Sequence, residues 1–196
     1  VADRKHGFEP VIDARSRVLI LGSLPGDESL RRRRYYANPR NHFWTIISRV
    51  YSIEIPEIYE ERLSLLLSKG IALWDVLRAA RRDGSLDSAI GDGVANDFAP
   101  LFERHPRIEA IGFNGRKAYE LFQGLVVPKL PDGVLERFRV GVLPSSSPTP
   151  GRNVLSLEGK VERWRDFLLN EEARPSVGQR SVHGTASGLP GERTAG

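Results

Sequence analysis

Short apolar runs punctuated by glycine and proline organise this chain. Val18-Leu19-Ile20-Leu21 stops at Gly22, Ile71-Ala72-Leu73-Trp74 starts after Gly70, and two more runs lie at 108–113 and 138–143. Each is brief and bounded by turn residues, as buried strands are. The pattern predicts strands over 17–22, 71–74, 108–113 and 138–143. Between them the apolar positions change period. Phe43, Trp44, Ile46, Ile47 and Val50 recur at helical spacing and predict a helix over 41–51, with Asn41 placed to cap it. Further helices are expected over 58–68, ended by Gly70, over 96–104 around Phe98, Leu101 and Phe102, and over 115–122. A closing helix over 157–169 carries Val161, Trp164, Phe167 and Leu168 on one face. Residues 1–16 read as a polar lead-in, and a helical turn is expected after Asp75.

Strands alternating with helices predict an α/β fold, a three-layer sandwich around a central four-stranded parallel sheet. The length fits one domain with a real core, here over 1–170. Residues 171–196 are rich in Gly, Ser, Pro and Arg, with almost no large apolar side chains, and predict a disordered tail. In such sheets ligands bind beyond the C-terminal strand ends. The unusual short motifs fall there: Gly22-Ser23-Leu24-Pro25-Gly26, Trp74-Asp75, Phe113-Asn114-Gly115, and Leu143-Pro144-Ser145-Ser146-Ser147-Pro148. Four loops on one edge make a site.

Composition narrows the chemistry. The chain has 196 residues and no cysteine, which removes disulfides, iron–sulfur clusters, thiolate metal sites and a cysteine nucleophile. The histidines (6, 42, 105, 183) show no metal-ligand spacing, so neither a metal nor a cofactor is expected. No apolar run approaches bilayer length and no signal segment opens the chain, so a cytoplasmic protein without membrane partners is expected. Net charge is +4, and only five of the 29 basic residues are Lys. Arg forks onto phosphate and stacks on bases, so a polyanionic partner fits. An Arg-rich bacterial codon bias explains the same excess.

Taken singly, the motifs are weak. The first loop has neither a P-loop ending nor dinucleotide or hydrolase-elbow spacing. The basic run 31–34 is by default a solvated surface, although its place beside Tyr35-Tyr36 suits phosphate contact. Both tyrosines offer a flat face for a base, and at least one of them is expected to pack into the core. Asn41 reads as a helix cap or as an amide holding a water or base edge. Asn114 and Asp75 read as caps or base readers. Ser145, Ser146 and Ser147 suit phosphate contact.

Taken together, these segments resemble the uracil-DNA glycosylase superfamily, and within it the deoxyinosine (hypoxanthine) branch. Gly22-Ser23-Leu24-Pro25-Gly26 is similar to the first superfamily motif. Tyr35-Tyr36-Ala37-Asn38-Pro39-Arg40-Asn41-His42-Phe43-Trp44 is similar to the segment after it in the mismatch-specific and thymine enzymes, as is Gly112-Phe113-Asn114-Gly115 to its counterpart. The 143–148 segment is similar to the loop that pinches DNA. Leu24 stands where the uracil enzymes carry a water-activating Asp or Asn, and Leu143 where they carry a His. The resemblance implies a monofunctional glycosylase that extrudes a deaminated base and hydrolyses its N-glycosidic bond in base excision repair. It implies Asn41 as the catalytic amide and Tyr36 as the stacking aromatic. It further implies Asp75 in the place of a base-reading Asn, with Ser23, Leu24 and Asn114 around the base. Arg34, Arg40, Ser145, Ser146, Ser147 and Arg152 are expected on the DNA, the 150–153 segment wedging into the stack. With no lysine nucleophile evident at the site, a monofunctional enzyme that leaves an abasic site is expected. The protein is expected to be a bacterial monomer working on nucleoid DNA. The competing readings are a uracil or mismatched-thymine enzyme, a DNA-binding module that has lost catalysis, and a serine esterase built on 145–147.

Overall fold

The computed structural model describes residues 4–148 and 154–169. In chain order the strands are β1 (Arg4–His6), β2 (Val18–Gly22), β3 (Ile71–Asp75), β4 (Leu77–Arg82), β5 (Ile90–Ala95), β6 (Ala110–Asn114) and β7 (Arg139–Leu143). The helices are α1 (Asp27–Arg32), α2 (Phe43–Tyr51), α3 (Tyr59–Ser68), α4 (Ala99–Arg104), α5 (Arg116–Leu125) and α6 (Leu157–Leu169). The four apolar runs become a parallel sheet in the order β3-β2-β6-β7.

Successive strand residues point to opposite faces, and each face has its own helices. Ile20, Ile71, Leu73 and Leu143 pack with Phe43, Ile46, Ile47, Leu66 and Trp164 of α2, α3 and α6. Leu19, Leu21, Trp74, Ile111 and Phe113 pack with Phe98, Leu101, Phe102 and Phe122 on the α4–α5 side. This is the expected three-layer sandwich. Helix α6 lies so close to the sheet that a Cβ on Gly141 would sit 2.5 Å from the Phe167 ring, so that strand position has no room for a side chain. The chain turns one way after β2, to β3, and the other way after β6. Their carboxyl ends therefore bound a crevice.

The region after β3 departs from expectation. In place of a helical turn the chain continues as β4, which joins β1 and β5 in a second, antiparallel sheet. Two hydrogen bonds divert it: Val76 and Leu77 donate their N–H groups to the carbonyls of Gly22 and Ser23. Leu77, Ala79 and Ala80 are buried along the extended run. Residues 4–6, read as a polar lead-in, form the outer strand β1.

One glycine is fixed by the site itself. Gly22 lies opposite Asp75 in the β2–β3 register, and a Cβ there would be 2.5 Å from Asp75 Oδ1. Gly22→Ala is therefore expected to destabilise the fold by about 1–3 kcal/mol, read as a lower urea midpoint. The same change made at Gly124, where a Cβ meets nothing within 4 Å, should have no such effect.

Candidate active site

The strand ends open into a cleft of about 900 Å³. Its walls come from the loop after β2 (Ser23, Leu24, Tyr36, Asn41), the end of β3 (Asp75), the end of β6 (Asn114) and the loop after β7 (Ser145, Ser146, Ser147). Every residue expected to catalyse or to hold a base thus borders one cavity. Ser85, Leu86 and Asp87, between β4 and β5, add a wall that the sequence reading had missed.

Asn41 stands one residue before the cap position of α2, His42, and steadies the start of the helix. Its Oδ1 accepts the Phe43 N–H at 2.9 Å. Since that N–H can only donate, the amide's orientation is set, and Nδ2 donates to no described residue. Its sp² oxygen keeps a second lone pair. The peptide next to it is tied across the cleft, His42 donating its N–H to the Ser146 carbonyl at 2.9 Å.

The two tyrosines divide, and one packs inward as expected. Tyr35 is buried, its ring edge-on to Phe8 at 5.2 Å. Tyr36 lines the cleft, and one face of its ring stacks on Phe43 at 3.8 Å and 10°. Burial holds the Tyr36 hydroxyl well above its ordinary value, so it stays protonated. Asn114 is more committed than expected. Its Nδ2 donates to Tyr36 Oη (3.1 Å) and Ser146 Oγ (2.9 Å), and its Oδ1 accepts the Ser146 N–H (2.8 Å). The amide is spent bracing three loops against one another, which leaves it poorly free to read a base. Ser146 is fully buried in that brace, so the expectation that its hydroxyl meets DNA fails for the same reason.

Asp75 is a buried carboxyl with little to hold a charge. It is 4 % exposed, and its Oδ2 has no hydrogen-bond partner. Burial pushes its pKa up to about 7, against the pull of the Arg82 guanidinium and with a further push from Asp87. Near neutrality it is half protonated and then offers one donor and one acceptor, as an amide does.

Arg82 positions the first loop from behind. Its side chain is buried and donates to the carbonyls of Leu24 (3.1 Å), Pro25 and Gly84 (3.2 Å), with Asp87 at 3.8 Å. Across a trans peptide the N–H points opposite the C=O. Holding the Pro25 carbonyl therefore turns the Gly26 N–H away from the guanidinium. Ser23 is fixed as well, its Oγ donating to Asp87 Oδ1 at 2.6 Å. A sequence signal for this wall did exist: Asp83-Gly84 between two short runs is a hairpin dipeptide, and Gly84 takes φ +64°. Arg82→Met is expected to loosen the 22–26 loop, seen as amide hydrogen exchange at least tenfold faster at Gly26 with little change in α2.

The basic residues are less available than expected. Arg31 and Arg32 both pair with Glu28. Arg34 lies over the Tyr59 ring at 5.2 Å and, like Arg40, does not line the cleft, though both are exposed. Leu24 is 5 % exposed and packs into the core beneath the loop. Arg152, the 150–153 segment and the tail after 170 lie outside the described residues. Contrary to expectation, a lysine does border the site: Lys160 of α6, 3 % exposed. Among the described residues no helix is long and apolar enough to cross a membrane.

A parallel β3-β2-β6-β7 sheet with a cleft built from all four strand-end loops defines an α/β protein whose ligand sits at the carboxyl edge. The chain belongs to the uracil DNA glycosylase superfamily, whose family profile matches residues 9–168. It is 43% identical over 164 residues to the hypoxanthine DNA glycosylase of Methanosarcina acetivorans, covering 82% of this chain and 95% of that one. It is 42% identical over 118 residues to the enzyme of the same name from Methanosarcina barkeri, covering 60% of this chain and 75% of its relative. A solution NMR structure of a Methanosarcina acetivorans protein, provisionally named a uracil DNA glycosylase, superposes with a TM-score of 0.68 at 39% identity. That match covers 85% of this chain and 99% of the other.

Proposed function

We propose that this protein is a DNA N-glycosylase of base excision repair that removes hypoxanthine from deoxyinosine. The observation that carries the reading is the placement of Asn41, Tyr36 and Asp75 on one cleft beside the 22–26 loop, in a chain closely similar to two hypoxanthine DNA glycosylases.

The target nucleotide is extruded from the duplex into the cleft. Its base lies on Tyr36, extending the stack already begun by Phe43. Protonated Asp75 donates to the base O6 and accepts from N1–H, a complementary pair for hypoxanthine. As the glycosidic bond breaks, the sugar becomes an oxocarbenium-like cation and the base leaves with negative charge. The Gly26 N–H, aimed by Arg82, supports that charge as a fixed dipole. Asn41 holds the attacking water through the free lone pair of Oδ1. An amide is not a base at neutral pH, so the cation must be largely formed before water adds. After bonding to C1′ the water loses a proton to solvent, and the hypoxanthine anion takes one up to leave as the neutral base. Ser145 and Ser147 border the cleft where the flanking backbone passes.

The test is excision from 5′-labelled duplexes carrying deoxyinosine, uracil or a mismatched thymine, developed by alkaline cleavage of the abasic product. Deoxyinosine is expected to be cut fastest. Product from uracil alone would move the reading to a uracil enzyme, and no product from any of them would reduce it to DNA binding.

A further inference from the structure

Lys160 is a buried cation for which the mechanism above has no use. It sits in the first turns of α6, 3 % exposed, on the wall of the cleft. Its Nζ makes one hydrogen bond among the described residues, to the Ser147 carbonyl at a long 3.4 Å. Of the two acids nearest in sequence, Glu158 is turned outward to Arg49 at 2.9 Å and Glu162 is exposed. Burial lowers the pKa of the amine and no carboxylate restores it. An ammonium held this way is costly unless a counter-charge arrives.

What surrounds it suits a phosphate. Ser145 and Ser147 are on the adjoining loop, and Val154 and Leu155 line the same rim, so the cleft is open beside the lysine. The amino end of α6 adds the positive end of a helix dipole. The loop is also stiff, since Ser146 is locked to Asn114 and His42. A rigid loop fixes where a strand can lie.

We propose that the Lys160 ammonium is the counter-ion of one backbone phosphate of the target strand, seated between the 145–147 loop and the first turn of α6. This rests on the glycosylase reading. Lys160 is then a DNA-binding residue whose charge is compensated only in the complex.

The experiment measures affinity for a duplex holding 2′-fluoro-deoxyinosine, in which the fluorine disfavours the sugar cation and blocks excision. Titrations run between 50 and 200 mM salt, for wild type, Lys160→Met, Lys160→Gln and Lys160→Arg. Loss of one phosphate contact should reduce the slope of log K against log salt by about 0.9 in the Met and Gln proteins, while Arg keeps the wild-type slope. A scan of neutral methylphosphonate linkages adds a readout that a structural strut would not move. At one linkage, neutralisation should weaken wild type about tenfold and leave Lys160→Met unchanged. Unaltered slopes, or equal methylphosphonate losses in wild type and Lys160→Met at every linkage, overturn the proposal. So does a borohydride-trapped adduct that disappears in Lys160→Met, because the amine would then be bonding the abasic aldehyde. Excision of hypoxanthine by the wild type is scored separately. The salt slopes decide the role of Lys160 even where that assay is negative.

Discussion

Asn41→Ala is expected to lower single-turnover excision of hypoxanthine by about 10²–10³-fold, the usual cost of removing one preorganised polar group from the reacting centre. The variant also loses the bond to the Phe43 N–H, which should cost about 1 kcal/mol of stability as a lost bond at the helix start. The two effects separate with Asn41→Ser. A serine keeps that bond but lacks the amide, so it should restore the melting temperature and leave excision low. Recovery of both properties in Asn41→Ser would make Asn41 a structural residue and move the water elsewhere. Binding to uncleavable 2′-fluoro-deoxyinosine duplex should change little in either variant, since neither touches Tyr36 or Asp75.

The second large effect is on pH dependence. On the proposed mechanism, Asp75 pairs with hypoxanthine only while it carries its proton. With its pKa near 7, excision should be full below pH 6 and fall tenfold per unit above about pH 7. The groups that set this value are Arg82, which favours ionisation, and Asp87 and burial, which oppose it. Asp75→Asn carries a donor and an acceptor at every pH, so its alkaline fall should vanish while activity at pH 6 stays within about tenfold of wild type. Asp75→Ala should lose about 10²-fold at both pH values, because the base edge is left unpaired. A wild-type alkaline limb that survives in Asp75→Asn would assign the titration to another group. The stability sign follows from the same shift. The folded carboxyl binds its proton more tightly than the unfolded one, so the contribution is present below about pH 4 and lost as pH rises through 7. At pH 8 the Asn protein should therefore melt above wild type, with the gap narrowing as pH falls below 7 and closing only near pH 4.

The parallel sheet was readable because its strands are continuous apolar runs bounded by glycine, and α6 because its apolar face keeps strict period over three turns. The antiparallel addition was not. Leu77-Arg78-Ala79-Ala80-Arg81-Arg82 has neither the apolar density nor the clean alternation of a strand. It extends because the Gly22 and Ser23 carbonyls receive its leading N–H groups, a long-range cause that no local window contains. The candidate site was legible as a set of positions, since strand ends in a parallel sheet must share an edge. The state of each group was not. That both Nδ2 hydrogens of Asn114 are engaged, that Ser146 is buried and that Arg31 and Arg32 answer to Glu28 all depend on which atoms meet in space. Lys160 was overlooked because, on a helix of mixed polarity, one basic residue looks like any solvated neighbour.

Strand β1 has a consequence for how the molecule is handled. It is the outer support of β4, the strand that carries Arg82, and its Lys5 is bonded to Asp27 and to the Gly84 carbonyl. These residues are thus mechanically continuous with the Pro25–Gly26 peptide on the wall of the cleft. Trimming the chain to residue 7, or fusing a bulky tag tightly against residue 4, should slacken that peptide from a distance. Proteins altered in this way are expected to differ in turnover while keeping the same far-ultraviolet spectrum.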